Sequence, residues 1–182
     1  MTRPTRKVVL YTLLSLDGVA EDPSWFLDAG PEVFENLGRI IGTQDDVLLG
    51  RTTYDEWAGY WPASDLEPFA PFINGTPKHV ITSSALAPEW ANSTAVTTPV
   101  AEYVTALKGR TGADIGIHGS IELARSLLRA RLVDELRLVV APVIAGRGRR
   151  LFDGDEGRRS LELLDVARTP EGTLFLTYRA AA

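Results

Sequence analysis

The chain has 182 residues, 45% of them hydrophobic and 24% charged, with a formal net charge of −5 and no long basic run. That length suits one domain, expected over residues 1–182, and the acidic balance argues against nucleic acid as a partner. There is no cysteine, hence no disulfide and no thiolate chemistry, and with only two histidines, His79 and His118, no metal site is expected.

Met1 to Lys7 is basic and runs into Val8-Val9-Leu10-Tyr11-Thr12-Leu13-Leu14, a weak imitation of a signal peptide. The apolar run is short and no small-residue cleavage site follows, so it reads as a first strand and the protein as cytoplasmic. No segment approaches the roughly 20 apolar residues of a membrane span, and no membrane contact is expected. The strand, Val8 to Leu16, is apolar almost throughout, as a strand covered on both faces would be. Asp17-Gly18 ends it and Asp22-Pro23-Ser24 marks a loop. From Pro31 the period changes: Val33, Phe34, Leu37, Ile40 and Ile41 share one helical face, and Gly42 is the stop.

Val47-Leu48-Leu49 is a short buried strand that runs into Gly50-Arg51-Thr52-Thr53. Thr53 with Glu56 fits a capping box, which predicts a helix start here. Trp61-Pro62 closes that unit, and Pro62, Pro68, Pro71 and Gly75 predict a long surface loop over 62–76. Lys78 to Thr82 is the next strand, ending in Ser83-Ser84. Thr98 as cap and Pro99 as first residue open a helix with the stripe Val100, Tyr103, Val104 and Leu107. Ile115-Gly116-Ile117 is a strand followed by His118-Gly119-Ser120 and a helix that buries Leu123, Ala124, Leu127, Leu128 and Leu132.

From Glu135 the pattern turns to strands, with runs near 160–168 and 173–179 joined by the hairpin turn Pro170-Glu171-Gly172. The order predicts an α/β fold: a mixed, mostly parallel sheet with antiparallel C-terminal strands at one edge. Leu136 to Ile144 is apolar on both faces, and a late strand pair exposed at an edge predicts a homodimer.

The informative residues lie where strands hand over to helices, because these junctions share the carboxyl edge of a parallel sheet, where ligands bind. Gly50-Arg51-Thr52-Thr53 offers a close backbone approach, a guanidinium and two hydroxyls. Thr82-Ser83-Ser84 supplies hydroxyls without bulk, and Gly119-Ser120 opens a helix whose free N–H groups suit an anion. Alone, the first reads as a cap and the second as a turn, and Gly119-Ser120 is open between packing and phosphate; three together point to a ligand with several phosphates, such as a dinucleotide. Gly146-Arg147-Gly148-Arg149-Arg150 imitates a dinucleotide fingerprint but lacks the third glycine and a following helix, so it reads as a tight surface connection, the lesser alternative being that its arginines meet a partner or an anion. Asp17 is the leading polar candidate for the reacting end, against the reading that it bonds only to its own loop. His118 could donate a proton near the turn, but a packed or solvent-facing histidine is the preferred reading. Trp25, Tyr54, Trp57, Tyr60 and Trp61 could stack on a flat heterocycle; for Trp57 ordinary packing is the preferred reading.

Ser15-Leu16-Asp17-Gly18, Val47-Leu48-Leu49-Gly50-Arg51-Thr52-Thr53-Tyr54, Gly119-Ser120-Ile121-Glu122-Leu123, Leu132-Val133-Asp134-Glu135-Leu136 and Ala141-Pro142-Val143-Ile144-Ala145-Gly146 occur in this order over most of the chain. In this the sequence resembles the reductase domain of riboflavin biosynthesis and its bacterial dihydrofolate-reductase-like relatives. The resemblance implies a dihydrofolate-reductase-like three-layer sandwich that uses NADPH to reduce a small heterocycle, carbonyl or imine. By it, Gly50, Arg51, Thr52 and Thr53 would meet cofactor phosphates, Ser83 and Ser84 would lie near the 2′-phosphate, and His118, Gly119 and Ser120 would form the pyrophosphate turn. Asp17 would be catalytic, and Trp25, Phe34, Tyr54 and Trp61 would meet the substrate. Phe34 stands where dihydrofolate reductases carry a carboxylate, so poor turnover of dihydrofolate is expected. A non-catalytic NADPH-binding module and a dimeric structural domain are the alternatives.

Overall fold

The computed structural model describes residues 6–26, 30–152 and 158–180. Among them the strands are β1 (Val8–Leu14), β2 (Gln44–Gly50), β3 (Lys78–Ile81), β4 (Ser93–Val96), β5 (Asp114–His118), β6 (Glu135–Val140), β7 (Leu161–Arg168) and β8 (Leu174–Ala180). The helices are α1 (Pro31–Ile41), α2 (Arg51–Ala58), α3 (Phe69–Gly75), α4 (Val100–Lys108) and α5 (Ile121–Arg129), with single 3-10 turns at Ser24–Phe26 and Trp61–Ala63. One sheet holds all the strands in the order β4-β3-β2-β5-β1-β6-β8-β7. Every pairing from β4 to β6 is parallel, and β8 and β7 are antiparallel, as the sequence predicts. The carboxyl ends of six strands therefore lie along one edge.

Strand alternation sets the layers. Val8, Leu10, Leu14, Leu48, Ile115 and Ile117 turn to one face, where Val104 and Leu107 of α4 and Leu123, Leu127 and Leu128 of α5 cover them. Val47 and Leu49 turn to the other face, under Ile41 of α1, Tyr54 and Ala58 of α2, and Phe69 and Ile73 of α3. Tyr11 and Val139 continue that face beneath Val33 of α1. The result is a helix–sheet–helix sandwich. The central strands read as nearly continuous apolar runs because both of their faces are roofed.

Several local expectations are corrected. Residues 62–76 are not a loop throughout: α3 lies within them and buries Phe69, Ala70 and Ile73. Pro68 is its N-cap and Pro71 falls in its first turn, where no intrahelical N–H is needed, so the prolines that suggested a loop are placed where a helix tolerates them. The buried Lys78 ammonium then donates to Ile73 O (2.8 Å) and Thr76 O (3.0 Å), tying down the end of this helix. Helix α2 starts at Arg51 with Gly50 as its cap, so Thr53 and Glu56 form no capping box. Helix α4 starts at Val100 with Pro99, not Thr98, in the cap position. The segment that suggested assembly is also misplaced: β6 is paired on both sides, by β1 and β8, and roofed. The uncovered apolar strand is β7 at the sheet's edge, all eight residues of which are exposed.

Candidate active site

Because β3, β2 and β5 are neighbours, their carboxyl ends bring residues 82–84, 50–53 and 118–120 side by side. Hydrogen bonds join the three junctions into one edge. Gly50 N donates to Ser120 Oγ at 2.9 Å, and Thr53 Oγ1 donates to Gly119 O at 3.3 Å. Arg51 reaches across to the next junction, with Nη1 donating to Ser84 Oγ (2.6 Å), Ala85 O (2.9 Å) and Thr82 Oγ1 (3.3 Å), while Nε pairs with Asp55 (2.7 Å). Thr52 and Ser83 are exposed along the same edge. Helices α2 and α5 both begin here, and neither Gly50 nor Ser120 caps its helix through a side chain. Two sets of first-turn N–H groups and two positive helix ends thus face one edge.

The turn at Gly119 is built around a left-handed backbone, φ +65°, and a Cβ there would lie 2.5 Å from Trp57 Cζ2. Glycine is therefore required for both conformation and space. The same contact places Trp57, half-buried against Phe69 and Trp61, directly beside the exposed Gly119 backbone. The preferred sequence reading of Trp57 as ordinary packing therefore describes only part of its surroundings. On the opposite side a small hollow of about 20 Å³ opens between Thr12, Ala20, Ser120 and Leu151.

Asp17 is engaged by its loops rather than free to react. Its carboxylate accepts from Ser15 Oγ (2.7 Å), Ala145 N (2.9 Å) and Gly146 N (2.9 Å), and Arg150 donates to its carbonyl at 3.0 Å. These hydrogen bonds, first that of Ser15 and then that of Ala145, pull its pKa down to about 2. A carboxylate held ionised this firmly offers a fixed negative charge and hydrogen-bond acceptors rather than a proton near neutrality. Asp17 instead clamps the 145–150 connection onto the end of β1. There Arg149 also pairs with Glu21 at 2.6 Å, so Arg149 and Arg150 of the Gly-Arg-Gly-Arg-Arg segment both have intramolecular partners.

The His118 side chain is packed in the core. Its ring points away from the edge, into the layer beneath α3, between Tyr11, Phe69 and Phe72. Its Nε2 lies 2.8 Å from Gln44 Oε1, and burial pushes its pKa down to about 3. It is a neutral imidazole that donates to Gln44 inside the core, and only its backbone belongs to the turn. Gly116 makes room for this pair, since a Cβ there would lie 2.0 Å from Gln44 Oε1.

Among the proposed substrate contacts, Tyr54 is fully buried. Its hydroxyl donates to Pro88 O (2.7 Å) and accepts from Trp90 N (3.0 Å), which makes it a core residue rather than a ligand contact. Phe34 sits half-buried on α1. Trp61 joins an aromatic cluster with Trp57, Tyr60 and Phe69, and its Nε1 is buried without a hydrogen-bond partner among the described residues, as are Tyr11 Oη and Gln44 Nε2. The side chain of Trp25 lies outside the described residues. Gln44 and Tyr11 carried no signal in the sequence, because each falls in a strand whose neighbours are apolar or acidic.

The profile of the RibD C-terminal domain matches residues 6–175. The chain belongs to the RibD C-terminal domain family. It is 31% identical to the Bacillus subtilis (strain 168) protein YwjB over 151 residues, which covers 81% of this chain and 83% of that one. Its fold is similar to that of a pyrimidine reductase-like protein from Corynebacterium diphtheriae (TM-score 0.69, 18% identity, 97% of this chain and 92% of that chain). It is also similar to the Thermotoga maritima diaminohydroxyphosphoribosylaminopyrimidine deaminase/5-amino-6-(5-phosphoribosylamino)uracil reductase (TM-score 0.72, 15% identity, 97% of this chain and 57% of that chain). The family resemblance and the sandwich expected from sequence are thereby shown for this RibD C-terminal domain protein. No helix among the described residues is long and apolar enough to cross a membrane.

Proposed function

We propose that this RibD C-terminal domain protein is an NADPH-dependent reductase of a small heterocycle, carbonyl or imine, of the pterin or riboflavin-precursor kind. The observation that carries this reading is the joined edge: three strand-to-helix junctions hydrogen-bonded to one another, with two helix starts that no side chain caps. The residues fit a dinucleotide. Gly119 lets backbone approach the pyrophosphate beside Ser120, Gly50 allows a close approach at the start of α2, and Thr52 and Thr53 offer first-turn N–H groups there. Arg51, held by Ser84 and Ala85, stands with Ser83 and Ser84 where an extra phosphate would be recognised. Bound NADPH supplies a hydride, and the protein orients it. Trp61 and Phe34 are the aromatic surfaces proposed for the substrate. With Asp17 and His118 both engaged, this reading takes the proton from solvent. The lack of a carboxylate at Phe34 keeps dihydrofolate a poor substrate. The protein is further proposed to act in the cytoplasm as a homodimer.

A second reading, an NADPH-binding module without turnover, is favoured by the same engagement of Asp17 and His118. NADPH oxidation in a screen of pterins, aminopyrimidines and simple carbonyls separates the two. Saturable binding with no oxidation of any substrate would leave the module. Absence of binding would leave a structural domain.

A further inference from the structure

The opposite, amino edge of the sheet has a hollow of its own. A cleft of about 200 Å³ lies between the C-terminal end of α5, the start of β7 and the end of β8. Arg131, Arg158, Arg159 and Ser160 line it, with Leu128 and Leu161 among its apolar walls.

The arginines are not equivalent. Arg159 is partly used by the fold, donating to Leu128 O and, at 3.4 Å, to Arg129 O, so it covers the last carbonyls of α5. Arg131 and Arg158 have no ion-pair partner among the described residues. Of the described acidic residues near them in sequence, Asp134 pairs with Lys108 at 2.6 Å and Glu162 with Arg179 at 2.7 Å, while Asp153, Asp155 and Glu156 lie outside the described residues. Arg131 also has a left-handed backbone, φ 57°, at the position just past the end of α5 where glycine is the favoured residue. A β-carbon at that position works against the backbone, so its guanidinium is the feature that needs a reason. Three guanidiniums around one hollow repel one another, and among the described residues that line it there is no carboxylate.

We propose that this cleft binds a small phosphate monoester whose phosphate sits among Arg131, Arg158, Arg159 and Ser160 and whose short apolar body lies on Leu128 and Leu161. Guanidiniums match phosphate oxygens in pairs, and the serine hydroxyl adds a neutral donor. The volume is below the roughly 300–1,000 Å³ of pockets for drug-sized ligands, which limits the body to a small ring or short chain. The site is independent of the nucleotide edge. The two lie at opposite ends of α5, a nine-residue helix and so roughly 13 Å long.

The test is titration of the full chain with phenyl phosphate, inorganic phosphate and phenol, followed by calorimetry and by amide shifts of Val133, Ser160 and Leu161. Phenyl phosphate should saturate, inorganic phosphate should bind more weakly and phenol should not bind. Arg131→Gly keeps a backbone suited to the left-handed turn while removing the guanidinium, so it should fold at least as well as the parent. Combined with Arg158→Gln it should weaken phenyl phosphate at least about tenfold. Arg51→Gln, at the other edge, should leave this binding unchanged. No saturation up to about 10 mM, equal to a binding free energy under roughly 3 kcal/mol, would overturn the site. So would undiminished binding to the double variant, or loss of binding only in Arg51→Gln. Equal affinity for inorganic phosphate and phenyl phosphate would overturn the assignment of the apolar wall.

Discussion

Gly119→Ala is the substitution whose cost can be worked most directly from the structure. Two penalties act together. The backbone is left-handed at φ +65°, which costs a residue with a β-carbon about 1–2 kcal/mol. The new methyl would also sit 2.5 Å from Trp57 Cζ2, 2.9 Å from Cη2 and 3.4 Å from Thr53 Cγ2. Trp57 cannot swing freely, because its ring is braced edge-on by Trp61 and Phe69 at 5.8 and 5.5 Å. Overpacking of this kind costs about 1–3 kcal/mol, so the sum is about 2–5 kcal/mol. With a urea slope near ~2 kcal/mol/M, the unfolding midpoint should fall by about 1–2.5 M. Adding Trp57→Leu to Gly119→Ala should remove the steric part and leave the backbone part. A Gly119→Ala protein within about 0.5 kcal/mol of the parent would refute the reasoning, since that is the scatter of ordinary surface substitutions.

Three further outcomes are expected. The unfolded His118 takes a proton near pH 6.5 and the folded one only near about 3, so stability should fall as pH drops from about 6.5 toward 3. The contribution reaches about 1.4 kcal/mol per pH unit, and His118→Gln should flatten that part of the profile in urea melts at stepped pH; an unchanged slope would contradict it. Asp17→Asn should speed hydrogen exchange at the amides of Ala145 and Gly146 without removing a titration from the pH–rate profile, and loss of an acidic limb would show Asp17 to be a proton donor after all. Leu163 and Val166, 51% and 56% exposed, share a sheet face with Tyr178 and Leu176, their register partners on β8. Leu163→Glu with Val166→Lys should shift a dimer to a monomer in light scattering, and an unaltered mass would exclude this face as the contact.

The sheet was legible because its central strands are short apolar runs bounded by glycine and polar turns, and because helices with clear stripes, such as Leu123, Ala124, Leu127 and Leu128, alternate with them. Helix α3 was hidden by Pro68 and Pro71, which break a helix interior but not its start. Strand β4, Ser-Thr-Ala-Val, was missed since half of it is exposed and it carries no apolar alternation. At the candidate site the three junctions were readable one by one, but the bonds that join them, Gly50 to Ser120 and Arg51 to Ser84, span 70 and 33 positions and leave no local trace. For Asp17 the residue was visible and its partners were not. The amides that occupy its carboxylate come from Ala145 and Gly146, 128 and 129 positions away. His118 misled for a simpler reason: strand alternation sends it to the face opposite Ile117, into the core.

Titration of NADPH and of NADH against the protein and its Arg51→Ala variant, followed by tryptophan fluorescence, tests the central claim most directly, because Trp57 borders the Gly119 turn. Arg51 is tied to Ser84 and Ala85, so its loss should remove charged hydrogen bonding to the extra phosphate and loosen the turn that carries the serines. The account predicts NADPH tighter than NADH by about 1.5–3 kcal/mol, roughly 10- to 150-fold, with most of that preference gone in Arg51→Ala. Equal affinity of the two nucleotides for the parent protein, or a preference that survives Arg51→Ala intact, would contradict it.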